Sequence, residues 1–92
     1  MTTGTMSTAF YHAILFPPHE GISACEVLGI GVNGSGPDPE AALLDAASIL
    51  QEVVSDLVEG SEPVPAPVWP EAADLQRGRH VMLQARLPAR AA

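Results

Sequence analysis

One long amphipathic stretch constrains the fold of this chain more than any other feature. Its apolar residues recur at spacings of three and four, with acidic and amide side chains between them, which predicts an α-helix. Asp38 supplies an N-cap carboxylate and Pro39 suits the first helical position. The sequence therefore predicts one helix over Pro39–Glu59, ended by Gly60 in the usual C′ role.

The apolar stripe of this helix is wider than a small sheet needs to cover. Ile49, Val54 and Val58 extend it beyond the main row of Ala, Leu and Val. A chain of 92 residues with one Trp, one Tyr and two Phe builds only one thin core, and such cores are often completed by association. We therefore expect a homo-oligomer, a dimer or tetramer, with part of the stripe facing a second subunit.

Strand-forming segments lie on both sides of the helix. Residues 9–16 are apolar on both faces, which predicts a central buried strand that turns through residues 17–21 into a return strand over 22–27. A third short strand is predicted over residues 29–33. The clean period-two alternation of residues 81–87 predicts a last strand with one apolar face.

These elements predict a single α+β domain. Its sheet has three to four mostly antiparallel strands, and the long helix packs on one face. The domain covers residues 9–88 and includes a proline-rich arm over residues 61–70, after which a short helical turn is closed by Gly78. Residues 1–8 are predicted to be a disordered leader and residues 89–92 a disordered tail.

The charge balance excludes one class of partner and favours another. Eleven carboxylates face four arginines and no lysine, giving a formal charge of −7. Phosphate backbones are bound by clustered basic residues, so direct nucleic-acid binding is not expected. A basic protein is the natural electrostatic complement.

The single cysteine and the three histidines are the residue types of a metal site or a nucleophile pair. His12, His19, His80 and Cys25 are possible metal ligands, but no two form a short ligand pair, and a Cys–His nucleophile pair lacks an orienting third group. Cys25 is predicted to be a buried small hydrophobe and His12 a packed imidazole. One unpaired cysteine, no signal peptide and no membrane-length apolar run together favour a reducing, cytoplasmic location.

Other enzyme-like patterns are equally weak. Glu20, Glu26 and Asp38 could supply paired carboxylates, although a solvated hairpin and a helix cap explain them more simply. The four glycines between residues 29 and 36 match neither dinucleotide-binding nor phosphate-loop spacing. We therefore expect no catalytic residues, no cofactor and no metal.

The order of elements and several motifs resemble the HicB family of antitoxins, the partners of HicA messenger-RNA interferases. The similarity covers residues 10–87, and its most specific part is the junction from Gly60 to the Pro-Val-Pro-Ala-Pro segment of the arm. The resemblance implies a bacterial protein with a partial ribonuclease-H-like β-β-β-α-β fold that has no catalysis and covers a small basic HicA-like toxin. This would be a short form, without the carboxy-terminal DNA-binding domain of many family members.

Charge and position, rather than a motif, nominate the residues that would contact such a partner: Glu52, Asp56, Glu59, Glu62 and Trp69. Trp69 either pins the arm to the core or anchors an interface. A different hypothesis is a free-standing oligomeric module that binds a small ligand or a peptide strand at the glycine-rich edge. A residual hydrolase is a third.

Overall fold

The computed structural model describes residues 7–87, which form an α+β fold and confirm the predicted class. The elements, in chain order, are β1 (Ser7–Leu15), β2 (Ser23–Val27), β3 (Val32–Gly36), α1 (Pro39–Glu59), α2 (Ala72–Arg77) and β4 (Arg79–Leu87). Most of the predicted leader and all of the predicted tail lie outside the described residues. None of the helices in residues 7–87 is long and apolar enough to cross a membrane.

The four strands form one antiparallel sheet in the order β3-β2-β1-β4. Strand β1 is central, as its two apolar faces predict. It begins at Ser7 rather than at residue 9 because β4 pairs with its whole length, from Ser7 opposite Leu87 to Leu15 opposite Arg79. Strand β2 pairs only with the second half of β1.

The predicted hairpin between β1 and β2 is confirmed. His19 and Ile22 exchange two backbone hydrogen bonds around the loop residues Glu20 and Gly21. Both loop residues have positive φ, 53° and 79°, as a type I′ turn requires.

The third strand was predicted in the wrong place. Residues 29–31 form a turn in which Gly29 and Gly31 have positive φ, and the strand runs over Val32–Gly36. Gly34 is needed inside the strand because a Cβ there would overlap the backbone of Ala42 and Ala46. The sequence suggests that Gly34 is a turn or strand-end residue, but the close approach of β3 to α1 explains why a glycine is needed there.

The long helix has the predicted bounds. Asp38 caps it, its Oδ1 accepting the Ala41 N–H at 2.8 Å. The helix ends at Gly60 as predicted, but Gly60 is the C-cap, with φ −81°, and the C′ residue is Ser61, with a positive φ of 57°. The reversal comes one residue later because the N–H of Gly60 still bonds to Asp56, continuing the helical pattern.

The core lies between α1 and one face of the sheet. Ala42, Ala46, Leu50 and Val54 are fully buried on the helix. They pack against the odd-numbered side chains of β1 and β2, among them Tyr11, Ala13, Cys25 and Val27. Complete burial of each larger aliphatic side chain contributes roughly 1.5–3 kcal/mol.

Two polar side chains of α1 bind the outer strands of the sheet. The Ser35 N–H of β3 donates to Asp45 at 2.9 Å. Gln51 binds both backbone groups of Arg86 in β4: its Oε1 accepts the N–H at 2.8 Å, and its Nε2 donates to the carbonyl at 2.9 Å. The helix thus spans the sheet from one edge strand to the other.

The proline arm, residues 61–70, passes from the helix side of the sheet to the opposite side. Tyr11, in the core, donates its hydroxyl to the Pro65 carbonyl at 2.6 Å. Val68 packs against Gly29. Trp69 then stacks on His12, which points away from α1 because side chains alternate along β1.

Candidate functional site

An acidic face follows the carboxyl-terminal half of α1. Glu52, Asp56 and Glu59 are all exposed, and their spacings of four and three residues place them on one side of the helix. Glu52 and Asp56 are each two residues from the fully buried Val54, which places them on the opposite side of the helix, facing away from the sheet. We call Glu52, Asp56 and Glu59 the acidic face.

The charge of the acidic face is not balanced locally. The salt bridges of residues 7–87 involve Glu20, Glu26 and Asp74, and none involves α1. The last turn of α1 also contains no basic residue, although the helix dipole makes this end negative and favours cations there. A positive charge near the carboxyl-terminal end of α1 would be stabilised by the carboxylates of the acidic face and by the helix dipole.

Glu62 extends the same end of the helix. Its backbone N–H donates to the Leu57 carbonyl at 2.8 Å, which holds the residue just beyond the last turn, and its side chain is exposed. The structure therefore places four of the five predicted contact residues at one end of α1.

Trp69, the fifth predicted residue, lies on the other side of the sheet. Its ring centroid is 4.1 Å from that of His12, yet 71% of the residue is exposed. It therefore both pins the arm and presents a large apolar surface. The structure separates it from the acidic carboxylates.

The tryptophan packs on one member of a pair of histidines that the sequence did not reveal. His12 Nδ1 and His80 Nε2 are 2.9 Å apart, across β1 and β4. Burial, and then the charge of His80, lower the pKa of His12. The residues are 68 apart in sequence, so only the register of the two strands brings them together.

Cys25 and His19, the other possible metal ligands or nucleophile partners, lie away from the His12–His80 pair. Cys25 is buried on the helix side of the sheet, away from His12, and burial raises the pKa of its thiol, which confirms the prediction of a small core residue. His19 is exposed on the β1–β2 turn, where it lies 3.4 Å from Glu20. In the part of the chain that the structure describes, no three His, Cys, Asp or Glu residues form a group that could hold a metal.

The carboxylates considered for acid–base chemistry have separate roles. Glu26 binds Arg77 at 2.9 Å, Asp38 caps α1, and Glu20 lies in the hairpin turn. An open recess of about 490 Å³ lies where β1 ends and α1 and β4 begin, and none of these three residues lines it. Its lining consists of Leu15, Phe16, Pro17, Pro18, Pro39, Gly78 and Arg79.

The glycine-rich edge, considered for ligand binding, is partly used by the fold. Gly34 and Gly36 lie against α1, where added Cβ atoms would meet Ala41, Ala42 and Ala46. Asp45 takes the outward N–H of Ser35. Packing against the helix thus accounts for the glycines of this strand.

Comparison with known proteins found no match for this chain among protein-family models, curated proteins or solved structures.

Proposed function

We propose that this chain is a HicB-like antitoxin or a related interaction protein, which binds a small basic toxin through the acidic face of α1. The observation that carries the proposal is the unbalanced charge of Glu52, Asp56 and Glu59 at the negative end of a helix dipole. Such a surface gains from a cationic partner rather than from a neutral or anionic one.

The architecture supports the proposal without identifying the partner. A β-β-β-α-β order with one long helix on an antiparallel sheet is the arrangement that resemblance to HicB proteins leads one to expect. The proline arm that follows α1 matches the most specific part of that resemblance. It is held by Tyr11 and His12, so it is an ordered part of the surface.

The proposed mechanism is occlusion. A small basic toxin that acts on RNA binds phosphates with clustered Lys and Arg, and a row of carboxylates one helical turn apart offers the same cations an alternative partner. Bound there, the toxin's RNA-facing surface is covered. The toxin is neutralised by this contact alone, with no chemistry from the antitoxin, in the reducing cytoplasm where both would be made.

Co-expression tests the proposal. The small basic protein encoded by the neighbouring reading frame should arrest growth when expressed alone, and this chain should relieve the arrest and co-purify with it. A Glu52→Gln, Asp56→Asn double variant should lose the relief. A Glu20→Gln, Glu40→Gln double variant removes the same charge elsewhere and should keep it. A neighbour that neither arrests growth nor co-purifies would count against the proposal.

A further inference from the structure

The hydrogen-bond directions of β1 determine which backbone groups of β4 face outward. The His12 carbonyl accepts the N–H of Leu28, and the Phe16 N–H donates to the Ala24 carbonyl, so even-numbered residues of β1 bond toward β2. Odd-numbered residues of β1 therefore bond to their odd-numbered partners in β4. The N–H and C=O groups of the even-numbered residues of β4 point away from the sheet.

Four residues of β4 are directed outward in this way, and one is already occupied. Gln51 binds both backbone groups of Arg86, as a neighbouring strand would. His80, Met82 and Gln84 remain as three successive outward-facing positions. Proteins usually cover, shorten or charge such an edge, because it is a template for another strand.

The surroundings of this edge suit a second copy of the chain. Neither β1 nor β4 contains a carboxylate, although the chain carries a formal charge of −7. The acidic face lies opposite the buried Val54 and therefore points away from the sheet. Pairing through β4 therefore brings no carboxylates of these strands against each other, and the exposed side chains of Phe10 and Met82 add apolar surface there.

We propose that two copies of this chain pair antiparallel through β4, about a two-fold axis at Met82. The three free positions are symmetric about this residue: His80 opposes Gln84 of the second copy, Met82 opposes Met82, and Gln84 opposes His80. Each pair exchanges two hydrogen bonds. This pairing uses the outward backbone groups of His80, Met82 and Gln84. It stops at Arg86 in each copy, because the side chain of Gln51 already binds the backbone of Arg86.

The resulting dimer has one continuous eight-stranded sheet. Residues that oppose each other share a face, so both α1 helices lie on one side of the sheet and both copies of Trp69 on the other. The two Gln51 contacts are at opposite ends of the joint, because Arg86 opposes Gly78 of the second copy. The acidic faces point away from the sheet, so the inference is independent of the proposed function.

Sedimentation equilibrium and light scattering of the full chain test the inference. Wild type should be a dimer of twice 9.6 kDa. Gln84→Pro removes one outward donor without touching the β1–β4 ladder and should raise the dimer dissociation constant at least tenfold. Gln84→Thr keeps the donor and should remain dimeric.

A second pair of variants covers the case in which the proline variant misfolds. Met82→Lys places like charges opposite each other at the axis and should also weaken the dimer at least tenfold, whereas Met82→Leu should not. Circular dichroism establishes that each variant is folded. A monomeric wild type, or a dimer that folded Gln84→Pro and Met82→Lys leave intact, would overturn the inference.

Discussion

His12 Nδ1 and His80 Nε2 are hydrogen-bonded at 2.9 Å, and the ring of Trp69 packs on His12. One nitrogen must donate and the other accept, so the bond requires at least one neutral ring. Glu26, on the same face of the sheet, is paired with Arg77. The fold therefore favours a His12–His80 pair with at least one neutral ring, and protonation of both rings would break the hydrogen bond.

The first prediction concerns stability below neutral pH. The pKa of His12 in the folded chain is lowered from 6.5, so on acidification the unfolded chain binds a proton first. The contribution of His12 to the free energy of unfolding is therefore complete above pH 6.5. It is lost as the pH falls from 6.5 through the lowered pKa of the folded chain. Denaturant unfolding from pH 8 to pH 5 measures it.

Two histidine variants separate this effect from general acid destabilisation. His12→Asn should flatten the pH dependence in that range. His19→Gln, which changes an exposed histidine on the hairpin turn, should leave it as in wild type. Equal pH dependence in all three proteins would exclude the His12–His80 pair as its source.

The second prediction concerns the anchoring of the arm. Tyr11→Phe removes the hydroxyl that donates to the Pro65 carbonyl and leaves the ring in the core. We expect a loss of about 0.5–1.5 kcal/mol and faster amide exchange and proteolysis in residues 61–70. Unchanged exchange in the arm would mean that the Trp69–His12 stacking and Val68 suffice to hold it.

The third prediction concerns the contact between β3 and α1. Gly34→Ala adds a methyl group against the backbone of Ala42 and Ala46, which cannot move as a side-chain end can. We expect the free energy of unfolding to fall by about 1–3 kcal/mol. Gly60→Ala is the control, since Gly60 has φ −81° and its added Cβ would have no neighbour closer than 3.4 Å; it should change stability little.

These contacts show which features the sequence could predict. The bounds of α1 follow from Asp38, Pro39 and residue periodicity, all of which act within a few residues along the chain. The acidic face follows from the same periodicity. Strand β3 was misplaced because the requirement for Gly34 arises from a helix that follows it in the chain.

Contacts between distant residues could not be predicted without the strand register. Nothing in the sequence near His12 indicates that His80 is its partner. The two residues meet only through the register of β1 against β4, which the sequence does not reveal. Gln51 is likewise an ordinary residue on the polar side of a helix until α1 is placed over the end of β4. Trp69 is predicted as a contact residue from the sequence, but its position on the far side of the sheet depends on the path of the arm.

Calorimetric titration of the purified chain with the small basic protein of the neighbouring reading frame tests the proposed function most directly. We predict binding that weakens as salt is raised and that weakens roughly tenfold in the Glu52→Gln, Asp56→Asn variant. The Glu20→Gln, Glu40→Gln variant, of equal charge, should bind nearly as wild type does. Absence of binding, or equal weakening by both double variants, would contradict a specific contact at the acidic face.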